Sequence, residues 1–221
     1  ATATISDANT TAIDATALSA IGGKTSGAVT VTNAIAISGT QAEITAALVT
    51  TDTLVVAATA TVTSSDAMSV AEANAVDAKT SGVITATLDT GDTASYSTLT
   101  GTGNAYTVTV NDAGSTAITA TALSTLGGKT TGTVTVSNAI AISGTQAEVT
   151  AALVTTDTLV VAGSATATIS DANTTAIDAT ALSAIGGKTS GAVTVTNAIA
   201  ISGTQAEITA ALVTTDTLVV A

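Results

Sequence analysis

Three stretches of the chain carry the ending of a phosphate-binding loop: Gly23-Lys24-Thr25, Gly128-Lys129-Thr130 and Gly187-Lys188-Thr189. That loop wraps backbone N–H groups around a phosphate and requires a glycine five residues before its last one. Leu18, Leu123 and Leu182 stand there instead, so these stretches read as helix stops followed by a surface lysine. Asp89-Thr90-Gly91 spells the triplet of aspartic proteases, whose chemistry needs two such carboxylates sharing a proton. The triplet occurs once, and Asp and Gly favour a turn there. Histidine and cysteine are absent, which removes the commonest general base, the thiol nucleophile and the usual zinc ligands. The sequence therefore predicts no enzyme, no catalytic residue and no cofactor.

Two residue sets remain. Asp7, Asp66, Asp112 and Asp171 recur near the ends of predicted strands and are the candidates for a structural calcium ion, which takes several oxygen ligands. Neither an EF-hand loop nor a glycine-rich calcium nonapeptide surrounds them, so the simpler reading is turn or cap residues. The second set is a series of Thr-x-Thr pairs: Thr2/Thr4, Thr30/Thr32, Thr59/Thr61, Thr85/Thr87, Thr107/Thr109, Thr166/Thr168 and Thr194/Thr196. Set in register, they would form a flat array of hydroxyls and methyls resembling the ice-binding face of insect antifreeze proteins. Thr also suits the solvent face of any strand.

The elements that position these residues come from repetition, which must be sought first. Residues 165–221 reproduce residues 1–57 without a change; residues 106–162 are a close copy, and residues 58–105 a diverged one. Each long unit splits into two similar halves, giving roughly eight modules of about 25–32 residues, within the range of strand-plus-helix repeats. In each half an alternating segment comes first. Val29, Val31, Ile35 and Ile37 share one parity and Thr30, Thr32, Ala34 and Ala36 the other, the strand signal. Leu54, Val56, Ala58, Ala60 and Val62 are expected to share a face in the same way. Asn33 falls on the inward parity, where it either bends the strand or starts a polar row.

The second segment changes period. Thr40 and Glu43 have capping-box spacing, and Ile44, Ala47 and Leu48 follow on one helical face. In the other half Thr11 and Asp14 have the same spacing, Ile13, Ala17 and Ile21 form the face, and Gly22-Gly23 suits a left-handed helix stop. The predicted fold is a repeat solenoid: one parallel β-sheet of stacked coils, with short helices on the return path and right-handed crossovers. The alternative is a helix-free β-solenoid. Residues 1–221 are expected to be one continuous body without separate domains. Because the first and last units are alike, neither end is specialised, and an open strand edge invites a further coil.

Composition narrows the partners. The net charge is −12, with Lys24, Lys79, Lys129 and Lys188 as the only basic side chains. Such a chain repels phosphate backbones and anionic membranes, so no nucleic acid and no membrane insertion are predicted. The most apolar run, Leu54 to Ala58, is far shorter than the roughly 20 residues of a membrane span. The sequence opens with neither Met nor a basic leader and reads as an internal excerpt. Asn9-Thr10-Thr11 and Asn173-Thr174-Thr175 are glycosylation-type sequons, taken as incidental.

The phrases Ile37-Ser38-Gly39-Thr40-Gln41-Ala42-Glu43-Ile44, Ser69-Val70-Ala71-Glu72-Ala73-Asn74 and Lys79-Thr80-Ser81-Gly82-Val83-Ile84 resemble repeats of very large surface proteins of marine cyanobacteria, and related phrases are similar to long cyanophage repeat proteins. The resemblance covers essentially the whole chain. It implies a structural role at the cell surface, outside the cell or on a virion fibre, and transfers no catalytic residue. The leading functional expectation is a filament, surface layer or fibre built from copies of the chain, or further repeats of a longer one, end to end. The alternatives are an adhesin or phage-fibre stalk acting as a spacer, and the ice-binding array.

Overall fold

The computed structural model describes residues 1–158, 160–214 and 219–220. The first copy forms β1 (Ala3–Ile5), β2 (Ala12–Asp14), α1 (Ala15–Gly22), β3 (Val29–Val31), β4 (Ala36–Gly39), α2 (Gln41–Ile44, continued by a π-helical turn Thr45–Val49) and β5 (Val55–Val56). The diverged copy supplies β6 (Thr61–Met68), α3 (Val70–Asp77) and β7 (Ile84–Leu88). The third contributes β8 (Ala105–Val110), β9 (Ala117–Thr119), α4 (Ala120–Gly127), β10 (Val134–Val136), β11 (Ala141–Gly144), α5 (Gln146–Leu153) and β12 (Val160–Val161). The last contributes β13 (Thr166–Ile169), β14 (Ala176–Asp178), α6 (Ala179–Gly186), β15 (Val193–Val195), β16 (Ala200–Ser202), α7 (Gln205–Leu212) and β17 (Val219–Val220).

The expected solenoid is not what forms, in either version. Among the described residues the strands divide into four separate parallel sheets of seven, five, three and two strands, accompanied by seven α-helices, so the chain is a mixed α/β protein. The single-sheet expectation assumed that equivalent strands always pair with each other. They do so only briefly. β9 pairs with its equivalent β11, but the next partner of β11 is β13, a Thr-x-Thr strand of the following copy. β4 likewise hands over to β6. Rows of like strands therefore end after two or three members, as in β1–β3–β5 and β14–β16. The helix-free alternative fails because side chains close the helix starts. Thr40, Ser69, Thr145 and Thr204 each complete a capping box with a glutamate three residues on.

Backbone contacts group the residues into two compact units: 1–89, 98–108 and 129–132 in one; 90–97, 109–128 and 133–221 in the other. In the first, β1–β3–β5 pair in sequence, as do β2–β4–β6–β7–β8. In the second, β9–β11–β13–β15–β17 form one ladder, β14 pairs with β16, and β10 with β12.

The alternation between Val29 and Ile37 is inward as read: Val29, Val31, Ile35 and Ile37 are buried, while Thr30 and Thr32 face solvent. Each fully buried Ile or Leu contributes about 1.5–3 kcal/mol. Asn33 marks a bend that divides the segment into β3 and β4. The parity expected from Leu54 to Val62 is wrong in its first half. Leu54 adopts a left-handed conformation (φ 52°), so Val55 and Ala57 turn inward while Leu54 and Val56 are exposed; Ala60 and Val62 are buried.

The first helix also differs from expectation. Ala12–Asp14 is spent on pairing with β4, so α1 starts at Ala15 with Asp14, not Thr11, as its N-cap. Its buried residues are Ala15, Leu18 and Gly22, not Ala17 and Ile21. Gly23 has φ −66°, so no left-handed stop occurs. Gly22 is required by proximity instead: a Cβ there would lie 2.1 Å from the Thr53 carbonyl oxygen.

Candidate functional site

The residues that first suggested a phosphate loop do structural work at the contacts between neighbouring repeats. Lys-Thr-Ser/Thr-Gly occurs four times, at residues 24, 79, 129 and 188. In three of these the threonine is buried and the glycine meets backbone in, or immediately before, an earlier strand. Thr80 donates to the Ala60 carbonyl at 2.5 Å and accepts the Gly82 N–H at 3.0 Å. Thr130 accepts the N–H groups of Tyr106 (2.7 Å) and Gly132 (2.9 Å) and donates to the Tyr106 carbonyl (2.8 Å). Thr189 donates to the Ala165 carbonyl and accepts from Gly191. The fourth, Thr25, is half-buried and donates to the Gly27 carbonyl at 2.7 Å. Buried hydroxyls at a main-chain junction must be paired, and these are. Sequence reading took the lysine as the notable residue; the fourfold recurrence of the whole Lys-Thr-x-Gly phrase was the available signal for the threonine.

The four aspartates have different surroundings. Asp66 Oδ1 accepts the main-chain N–H of Gln41, the first residue of α2, at 2.5 Å, and Asp171 Oδ2 accepts that of Gln146, the first residue of α5, at 2.6 Å. A carboxylate at a helix start satisfies an orphan donor and opposes the positive end of the dipole. Asp112 Oδ2 takes both the N–H and the hydroxyl of Thr93, each at 2.7 Å. The Asp7 carboxylate is exposed and takes no hydrogen bond from the described residues; only its main-chain carbonyl is used, accepting Asn33 Nδ2 at 2.6 Å. Asn138 and Asn197 bridge in the same way to the Asp112 and Asp171 carbonyls. No three Asp, Glu, His or Cys side chains among the described residues group as a metal site.

Of the threonine pairs, Thr2, Thr4, Thr30, Thr32, Thr59, Thr61, Thr85, Thr87, Thr107, Thr166, Thr194 and Thr196 are exposed, while Thr109 and Thr168 are half-buried. Register brings together Thr4 with Thr30, Thr87 with Thr107, and Thr168 with Thr194. The rows are short. Val56 follows Thr30, Val220 follows Thr194, and Thr61 and Thr166 lie opposite alanines.

An open cleft of about 430 Å³ in the diverged copy is lined by Asp77, Thr80, Gly82, Gly101, Gly103 and Asn104, among others. Asn104 fixes it, donating to Asp77 Oδ1 at 2.7 Å and accepting the Ile84 N–H at 2.9 Å. Gly101 (φ 72°) lies against the same carboxylate, 2.5 Å from where its Cβ would be. Asp77 is the cleft's one charged group. Its geometry fits a turn lock; the lining offers no base paired with a nucleophile.

The chain matches no family model, no curated protein and no solved structure. No helix among the described residues is long and apolar enough to cross a membrane.

Two identical copies in different surroundings reveal what each face needs. Ile35, Ile37, Ile44 and Leu48 are buried in the first copy, whereas their counterparts Ile199, Ile201 and Ile208 are only half-buried in the last and Leu212 is 37% exposed. A second set of positions reverses the contrast. Ile169, Ile177 and Ile185 are buried, while Ile5 and Ile13 are half-buried and Ile21 is 41% exposed.

Proposed function

We propose that the chain is a structural protein that builds a filament, surface layer or fibre by associating with copies of itself, or with further repeats of a longer chain, and that it catalyses no reaction. One observation carries this reading: the same 57-residue sequence buries one set of isoleucines in its first occurrence and the complementary set in its last. Apolar surface left open on chemically identical positions is surface that a neighbour covers elsewhere in the same molecule, and its burial drives association. The resemblance of the repeat phrases to cyanobacterial surface proteins supports an extracellular or virion setting. The net charge of −12 keeps such an apolar sequence soluble before assembly.

Sedimentation velocity over rising protein concentration, with negative-stain microscopy of the same samples, tests the proposal. Growing species and multimeric particles are expected. A monomer at every concentration overturns self-association and leaves the spacer role of a stalk.

A further inference from the structure

We infer that the outer edge of β16 is the docking site for the outer edge of β1 of a second copy of this chain, in parallel register. The inference rests on the proposed self-association and specifies its contact.

Both halves of the contact already exist inside the molecule. β1 has the sequence of β13, and β16 that of β4, because residues 165–221 repeat residues 1–57. β13 is covered by β11, an Ala-Ile-Ser-Gly strand, with Ala141 opposite Thr166, Ile142 opposite Ala167, Ser143 opposite Thr168 and Gly144 opposite Ile169. β4, also Ala-Ile-Ser-Gly, is covered by the Thr-x-Thr strand β6. Among the described residues β1 and β16 each stand at the end of their sheet. Transferring the β11–β13 register puts Ala200 opposite Thr2, Ile201 opposite Ala3 and Ser202 opposite Thr4.

The polar groups fit as well. Thr166 donates its N–H to Ile140, and Ser170 to Gly144. Thr2 and Ser6 are their equivalents, and in the contact they meet the carbonyls of Ile199 and Gly203. Asp171 and Asp66 cap Gln146 and Gln41 from the neighbouring repeat. Asp7 is the identical aspartate with an unused carboxylate, and Gln205 opens α7, where no described group accepts its main-chain N–H. The contact brings these two together and sets the half-exposed Ile199, Ile201 and Ile208 against a second copy. Parallel edge pairing of this kind supplies main-chain hydrogen bonds and register at once.

The chain has no cysteine, so Thr4→Cys and Ser202→Cys create single, defined thiols. A short thiol-to-thiol cross-linker is applied to each variant alone and to their mixture, with self-association followed in parallel by sedimentation. A cross-linked dimer in the mixture, absent from either variant alone, is the expected result. Adding Thr2→Pro to the Thr4→Cys variant should abolish the product. The Ala3 N–H points to β3, so the Thr2 N–H points outward; proline there removes an outward donor, spares the β1–β3 bonds and keeps the thiol, and an edge strand tolerates it. Circular dichroism of the Thr2→Pro/Thr4→Cys variant checks that it folds; if it does not, the two-cysteine mixture decides alone. Self-association without the mixed product, or cross-linking of one variant to itself, overturns this contact but not the proposed function. Absence of any association overturns both.

Discussion

Asp171 accepts the main-chain N–H of Gln146 at 2.6 Å, so the helix of one repeat is capped by a side chain of the next. Asp66 and Gln41 stand in the same relation. A capping carboxylate replaced by alanine leaves an orphan donor and costs about 0.5–2 kcal/mol. Asp171→Ala and Asp66→Ala should each lower stability by about 1 kcal/mol, seen as a lower urea midpoint at unchanged slope. Asp7→Ala, whose carboxylate receives nothing from the described residues, should leave the midpoint of dilute protein unchanged. An equal loss in all three variants would mean that the aspartates act through charge alone.

Two capping-box glutamates, Glu43 and Glu148, give the fold a pH dependence. Hydrogen bonds from the main-chain N–H and hydroxyl of Thr40, and then from Thr16, hold the Glu43 carboxyl below its ordinary value; Thr145 and Thr121 do the same for Glu148. A carboxyl depressed in the folded state binds protons more readily when unfolded, so stability rises with pH through this region. The contribution is complete above the unfolded carboxylate value and is lost as pH falls through the lower folded value. Urea midpoints measured from pH 7 down to pH 3 should therefore decline. The decline should be shallower in the Glu43→Gln/Glu148→Gln double variant, because glutamine does not titrate.

Tyr106 is fully buried, yet its hydroxyl has no hydrogen-bond partner among the described residues. Burial, with a smaller effect of the Asp77 charge, pushes the phenol well above its ordinary value, so it is neutral throughout the accessible range. An unpaired buried polar group costs about 1–3 kcal/mol. Tyr106→Phe should raise the melting temperature, while Tyr106→Leu should lower it through the lost ring volume. A drop for the phenylalanine variant would show that the hydroxyl is engaged.

Much of this was legible from local pattern. The Val29–Ile37 alternation and the Thr40/Glu43 capping box are short-range features, fixed by residues within a turn or two. The sheet organisation was not, because it depends on which distant strand meets which. β11 takes β13 as a neighbour although the closest sequence match to β11 lies elsewhere. Leu54 illustrates a second limit: one left-handed residue reverses the parity of everything up to the next turn, and nothing in Thr53-Leu54-Val55 announces it. The recurrence of the aspartates is visible in the sequence, but the partners of Asp66 and Asp171, Gln41 and Gln146, lie 25 residues away, beyond any local motif.

The closeness of neighbouring repeats makes a contrasting pair of glycine substitutions informative. At Gly132 a Cβ would sit 2.3 Å from the Tyr106 carbonyl oxygen and 2.7 Å from its carbon. Both are main-chain atoms in a strand that Thr130 also grips, so relief requires moving the strand. Gly132→Ala should cost about 1–3 kcal/mol, the range for forced overpacking. At Gly163 a Cβ would meet nothing within 4 Å, the backbone is not left-handed, and Ala58 follows the first copy where Gly163 follows the third. There alanine only restricts the unfolded chain, so Gly163→Ala should gain about 0.4–1 kcal/mol. Urea unfolding of the two variants beside the parent checks both signs. Equal effects would mean that the repeats are less tightly apposed at the Lys-Thr-x-Gly junctions than the Tyr106–Gly132 approach requires.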